Sequence, residues 1–201
     1  MRRLFITFYF CSGVLALFFS QGRASNWQFG AQAGLNFSKD TVLSLKSSYR
    51  NLFEGCTSMS SENGELLFYA SGEEVFDALG ARMPNGEGLL GNESISQAAL
   101  AVPVPNDENK YYLFTQSFLN GLHYSIIDMG LKGNGTDDLP LGDISASKNV
   151  VLLTSSSENL GATEDGKGGY WVVTKIEGVN SEYLAFHING TTGILNTTPV
   201  R

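Results

Sequence analysis

Two cysteines and two histidines in 201 residues leave this chain few of the side chains from which metal or nucleophilic sites are built. Cys11 lies inside an apolar N-terminal run, so Cys56 stands alone in the body of the chain and cannot form an internal disulfide. Followed by Thr57 and Ser58 on an apolar stretch, Cys56 is expected to be a small buried hydrophobe. No base stands near it in sequence. Clustered positive charge is missing as well. Thirteen scattered cations face twenty acids, for a net charge of −7, which excludes a function built on neutralising nucleic-acid phosphates. No basic amphipathic helix suggests a membrane surface. Helical periodicity is nearly absent, and the segment Ser44 to Phe53 is the one candidate for a short helix.

What is present begins with a leader. Arg2 and Arg3 precede an apolar, aromatic-rich run from Leu4 to Phe19, broken by Cys11, Ser12 and Gly13. Small residues follow at Ser20, Gly22 and Ala24. This is the build of a secretory signal peptide, too short and too loosely flanked for a membrane span. Cleavage is expected after Gly22 or Ala24. Residues 1–22 are therefore assigned to the leader and 23–201 to one domain, and no membrane span is expected after cleavage. Removing Arg2 and Arg3 makes the acidic balance more negative still, which favours solubility.

Three segments repeat one pattern: Gly64 to Tyr69, Asn109 to Thr115 and Gly168 to Thr174. Each is a polar turn followed by an aromatic-rich apolar run, and a second, alternating run comes after. Phe68, Phe114 and Val173 are separated by 46 and 59 residues, the scale of propeller-blade repeats. The runs Leu66 to Tyr69, Tyr111 to Phe114 and Tyr170 to Val173 do not alternate, which predicts strands covered on both faces. The following runs do alternate. Leu122, Tyr124 and Ile126 oppose His123, Ser125 and Ile127, and Leu184, Phe186 and Ile188 oppose Tyr183, Ala185 and His187, as on strands with one better-buried face.

The turns agree. Asn63-Gly64 and Asp165-Gly166 supply the residues that accept positive φ in tight hairpins, and Asn106 to Asn109 forms a longer polar tip. Asn85-Gly86 and Asn134-Gly135 are expected in loops between repeats. The reading is an all-β fold, a partial WD40-like β-propeller of about three to four blades. The third anchor is followed by 28 residues with no capping composition, so the chain is expected to be the front part of a larger propeller. A closed four-bladed ring is the alternative.

The wording of the sequence also resembles a known family. Trp27-Gln28-Phe29-Gly30 with Ala33 to Phe37 looks like its opening strand, and Glu54-Gly55-Cys56-Thr57 leading to Asn63 through Tyr69 looks like its first hairpin. Met83-Pro84-Asn85-Gly86 through Gly91, Ser96 to Leu100 with Val102-Pro103, Gly121 to Ser125 with Asp128-Met129, Lys148-Asn149-Val150, Tyr170 to Thr174 and Asn196 to Val200 continue the series. Together these resemble the N-terminal β-propeller region of large secreted Bacteroidetes surface proteins of the gliding-motility, type IX secretion sorting-domain kind. Ser71-Gly72 and Thr163-Glu164 depart from its pattern. The resemblance implies an exported or cell-surface module with a binding, adhesion or scaffolding role and no catalysis. Its partner would be an unidentified protein or glycan at the cell surface, besides the rest of a longer propeller.

Candidate chemistry is thin. Gly86 to Gly91 satisfies G-x-G-x-x-G, but no strand-to-helix context surrounds it, so a loop is expected. Acids gather at Glu73, Glu74 and Asp77 and at Asp137, Asp138 and Asp143. Paired carboxylates could run glycoside hydrolysis, which makes a secreted propeller hydrolase the alternative function. A calcium site in the loop Asn134 to Asp143 lacks the usual spacing. His123 and His187 are expected apart, on half-exposed strands, and local spacing assembles neither a zinc site nor a triad around them. Phe68, Tyr111, Tyr112, Phe114, Tyr170 and Trp171 are expected to be packing residues. Sequons at Asn36, Asn92, Asn134, Asn189 and Asn196 mark surface loops, and Asp40-Thr41-Val42 resembles a short O-glycosylation motif of the same bacteria. No catalytic, cofactor-binding or metal-binding residue is assigned.

Overall fold

The computed structural model describes residues 22–30, 32–37, 41–46, 54–176 and 182–201. Most of the leader, including Cys11, lies outside them, as do Asp40 of the O-glycosylation motif and Ser38 of the first sequon. The described residues form antiparallel sheets and no α-helix. None of their helices is long and apolar enough to cross a membrane.

Four sheets follow one another along the chain. The first contains β1 (Asn26–Gln28), β2 (Ala33–Asn36) and β3 (Leu43–Lys46). The second contains β4 (Cys56–Ser60), β5 (Leu66–Ser71), β6 (Glu74–Asp77) and β7 (Arg82–Glu87). In the third, β8 (Ala99–Pro103), β9 (Lys110–Ser117) and β10 (Gly121–Asp128) are joined at the outer edge by β11 (Asp143–Ile144) and β12 (Val150–Leu153), which both pair with β10. The fourth contains β13 (Leu160–Glu164), β14 (Tyr170–Ile176) and β15 (Glu182–Ile188). None of the sheets closes on itself.

The three aromatic-rich runs fall in three different sheets, each as the second strand: β5, β9 and β14. The clearest case is β9. Tyr111 and Leu113 point into a core shared with Met59, Phe68, Val75 and Met83 of the second sheet. Tyr112 and Phe114 point the other way, into a core with Val172, Leu184 and Phe186 of the fourth. Successive side chains of a strand face opposite sides, so an apolar run without alternation is what a strand between two cores needs. Alternation on β15 is as expected, with Leu184, Phe186 and Ile188 buried. On β10 both rows are largely covered, because His123, Ser125 and Ile127 are buried while Leu122, Tyr124 and Ile126 pack on the opposite core.

Turn chemistry also holds. Gly64 (φ 84°) and Gly166 (φ 72°) take the left-handed conformation in the first hairpins of the second and fourth sheets, and Asn106 (φ 62°) does so in that of the third.

Three expectations are corrected. Residues 44–46 belong to strand β3, where Leu43, Ser44, Leu45 and Lys46 pair with β2, rather than to a helix; the remainder of that expected helix, 47–53, lies outside the described residues. Asn85-Gly86 lies within β7, not in a loop between sheets. Pro84 is tolerated there because β7 is an edge strand, and Gly86 fits because a Cβ would stand 2.5 Å from the Val75 carbonyl oxygen. Asn134-Gly135 connects β10 to β11 within the third sheet.

Candidate functional site

The first strands of the sheets lie side by side in chain order: β1 against β4, β4 against β8, β8 against β13. Asn26 fastens the first of these contacts. Its buried side-chain amide donates to Ser60 Oγ (3.0 Å) and to the Gly64 carbonyl (2.9 Å). Where the first hairpins of the second, third and fourth sheets turn, they leave a cleft of about 1000 Å³. Its wall includes Ser58, Met59, Ala101, Pro103 and Val104. Trp27 and Tyr170 present aromatic surface, and Glu62, Asp107, Glu108 and Glu164 present carboxylates. Trp27 is 49% exposed, and its indole N–H donates to the Ala24 carbonyl at 3.0 Å.

One cation enters this cleft. Arg23 Nη2 donates to Glu62 Oε1 at 2.8 Å, and Nη1 donates to the Tyr111 hydroxyl oxygen at 3.1 Å. Burial raises the Tyr111 phenol pKa, against the opposing pull of Arg23. Burial likewise raises that of Tyr170, helped by Glu164. Asp107 is held below the ordinary carboxylate range, chiefly by a 2.7 Å hydrogen bond from Lys110 Nζ. That direction is opposite to the one a general acid requires.

The carboxylates of the cleft were not among the clusters singled out from the sequence. A signal for two of them exists, because Glu62 and Glu108 each stand six residues before a repeat anchor, Phe68 and Phe114. Four of the six acids singled out have protein partners elsewhere. Asp77 Oδ1 accepts from the backbone of Leu79 (2.9 Å) and Ala81 (3.0 Å), and its Oδ2 accepts from the Asn134 side chain (2.9 Å). Asp143 is held by Asn85 and by the Ile144 N–H. Glu74 pairs with Arg82, and Asp137 with Lys132. Both ends of the supposed calcium loop are thus occupied by protein partners. Among the described residues, no group of three or more His, Cys, Asp or Glu could hold a metal ion.

The histidines are apart, on the third and fourth sheets; His187 has the half-exposed setting expected, and His123 does not. His123 is 3% exposed, because its row on β10 faces the core of the second sheet rather than solvent. Desolvation lowers its pKa, partly opposed by a hydrogen bond from the ring to the Gly121 backbone carbonyl. His187 is half-buried, with Nε2 2.8 Å from Asp165 Oδ2 and its ring 4.5 Å from that of Trp171. The His187 bond, with N–H donation from Lys167 and Gly169, pulls the Asp165 pKa down to about 2. The described hydrogen bonds bring no serine hydroxyl to this pair.

Cys56 is half-buried rather than fully so. Its thiol donates to the Gln28 carbonyl at 3.1 Å, and burial raises its pKa, away from the thiolate a nucleophile needs. Phe68, Tyr111, Tyr112 and Phe114 are core residues. Tyr170 and Trp171 are only partly buried, the first in the cleft and the second against His187. The G-x-G-x-x-G segment leaves β7 through Gly88 (φ 75°) into a turn. The described sequon asparagines mostly cap their own turns, as Asn92, Asn189 and Asn196 do by accepting from nearby N–H groups. Compared with protein-family models, curated proteins and solved structures, the chain matches none.

Proposed function

We propose that this chain is an exported β-propeller portion, WD40-like in its repeats, that binds a protein or glycan at the cell surface in an adhesive or scaffolding role and catalyses no reaction. The observation that carries the propeller reading is the ordered contact of β1, β4, β8 and β13, with the aromatic-rich strand second in each of the last three sheets. Radial repetition of small sheets has this arrangement. Among the described residues, β13 does not pack on β1 as the successive first strands pack on one another. An arc of a ring with more than four blades fits that, and the rest of a longer propeller would then cover the two outer sheets. Export rests on the leader-like residues 1–22.

The cleft is the binding surface in this reading, since concave sites with a few converging polar groups are where ligands are held. Trp27 is its natural anchor, an amphipathic ring half open to solvent. The chain has two tryptophans, so fluorescence reports on the cleft directly. In a screen of surface oligosaccharides and peptides, a ligand that binds should change tryptophan emission. The change should be lost in Trp27→Phe and kept in Trp171→Phe. Retention of binding by Trp27→Ala removes the cleft from the function, and release of reducing sugar from a bound glycan favours the hydrolase instead.

A further inference from the structure

Arg23 shows how this fold holds a cation, and the repeat builds the same corner a second time. The guanidinium lies between a carboxylate from one sheet and a tyrosine from the next. Nη2 donates to Glu62 Oε1 at 2.8 Å and Nη1 to the Tyr111 hydroxyl oxygen at 3.1 Å. The guanidinium carbon stands 5.9 Å from the Tyr111 ring centroid. Both partners have fixed places in the repeat. Glu62 stands six residues before the anchor Phe68 of the second sheet, and Tyr111 three before the anchor Phe114 of the third.

One repeat further on, the same two places are held by Glu108 and Tyr170. Glu108 stands six residues before Phe114, and Tyr170 three before Val173, the anchor of the fourth sheet. The rows correspond as well. Tyr111 belongs to the core shared by the second and third sheets, and Tyr170 packs against the core shared by the third and fourth. Glu108 and Tyr170 both line the cleft. Glu164, directly across from Tyr170 in the register of β13 with β14, adds a second carboxylate to this corner. The two corners differ in their charge balance. Arg23 pairs with Glu62 and Lys110 with Asp107, whereas among the described residues no ion pair reaches Glu108 or Glu164. Pro103, Val104 and Pro105 give the cleft an apolar wall, on which the methylene stem of a long cationic side chain can lie.

We infer that the Glu108–Tyr170 corner of the cleft takes an arginine side chain from a protein partner, as the Glu62–Tyr111 corner takes Arg23. The incoming guanidinium donates to the carboxylates and lies over the phenol ring, a pairing that suits its planar fork and weak hydration. The charge of the cleft selects the class of partner. Four carboxylates and one guanidinium line it, so a basic extended segment is attracted and an anionic glycan is repelled. A neutral oligosaccharide brings no counter-charge to Glu108 and Glu164.

This inference rests on the reading of the cleft as a binding surface and names its partner. The probe is a nine-residue arginine peptide titrated into the purified protein, followed by tryptophan emission and by calorimetry. It should bind and change the emission of Trp27. Glu108→Gln should weaken binding about two- to fivefold. Tyr170→Leu should weaken it by a similar factor, about two- to fivefold, and Tyr170→Phe, which keeps the ring, should recover most of that loss. Asp138→Asn removes an exposed carboxylate that does not line the cleft and should leave the affinity unchanged. Equal weakening by Asp138→Asn and Glu108→Gln means attraction by net charge alone and overturns the inference. Failure of the arginine peptide to bind, while an oligosaccharide still changes Trp27 emission, also overturns it and leaves the cleft standing as a binding surface. If neither class of ligand perturbs Trp27, the reading of the cleft fails and the inference fails with it.

Discussion

The Asp143 carboxylate accepts twice from Asn85, once from its backbone N–H at 2.9 Å and once from its side-chain amide at 2.7 Å. This two-point clasp joins the short outer strand β11 of the third sheet to the edge strand β7 of the second. Asp143 also caps its neighbour, Ile144, at 2.8 Å. Asp143 is only 7% exposed, and replacing it by alanine leaves three donors without their acceptor, two of them on solvent-exposed Asn85. Asp143→Ala should destabilise the fold by about 2–4 kcal/mol, read as a lower urea midpoint with the slope unchanged. Asp143→Asn should recover part of the loss, since one of its two terminal atoms still accepts.

A second prediction follows from the division of β9 between two cores. Leu113→Ala opens a cavity between the second and third sheets and should cost about 2–5 kcal/mol. Phe114→Ala does the same between the third and fourth and should cost about 3–5 kcal/mol. Both side chains are fully buried although they are sequence neighbours, so large losses at both positions are the mark of a doubly covered strand. A loss confined to one position in thermal or chemical unfolding would contradict the two-core arrangement.

That arrangement was legible in Tyr111 to Phe114 because an unbroken apolar run on a short strand has one common cause, burial of both faces. Gly64 and Gly166 were legible for a similar reason, since positive φ selects few residue types. Strand β3 was not. Four residues are too few to separate period 2 from period 3.6, and pairing with β2 decided the outcome. His123 was misread because alternation along β10 gives two rows without saying which lies inward; the second sheet covers the row that carries the histidine. The cleft was hidden for another reason. Trp27, Glu62, Glu108 and Tyr170 converge only through the order in which sheets pack, and no local pattern encodes that order.

His123 makes stability sensitive to mild acid. Burial lowers its folded pKa below the ordinary value of 6.5, so the unfolded chain binds the proton more readily. Its contribution is complete above pH 6.5 and is lost progressively as pH falls below that value. His123 Nδ1 and the cross-strand Thr115 Oγ1 are both buried without hydrogen-bond partners among the described residues. An apolar replacement therefore sacrifices little beyond the bond to the Gly121 carbonyl. His123→Leu should match or exceed the wild type in melting temperature at neutral pH and should lose less of it on acidification to about pH 5.5. Parallel pH profiles for the two proteins would exclude a buried, reluctantly charged histidine.

The Asp165–His187 pair acts at the opposite end of the acid range. With the Asp165 pKa held at about 2 by His187 and by the N–H groups of Lys167 and Gly169, the folded state resists protonation more strongly than the unfolded chain, whose value lies near 3.8. The stabilisation is therefore fully present above pH 3.8 and disappears as pH falls through about 2. His187→Gln removes the largest contributor, so the Asp165 pKa should rise and the folded and unfolded values should converge. Acid unfolding, followed by near-ultraviolet circular dichroism, should then begin at a higher pH than in the wild type. Trp171, 4.5 Å from the His187 ring, gives an independent optical signal for the same event. If Asp165→Asn and His187→Gln both leave the acid transition where it was, the pair contributes no differential proton binding. The 2.8 Å contact would then be an ordinary neutral hydrogen bond at the edge of the fourth sheet.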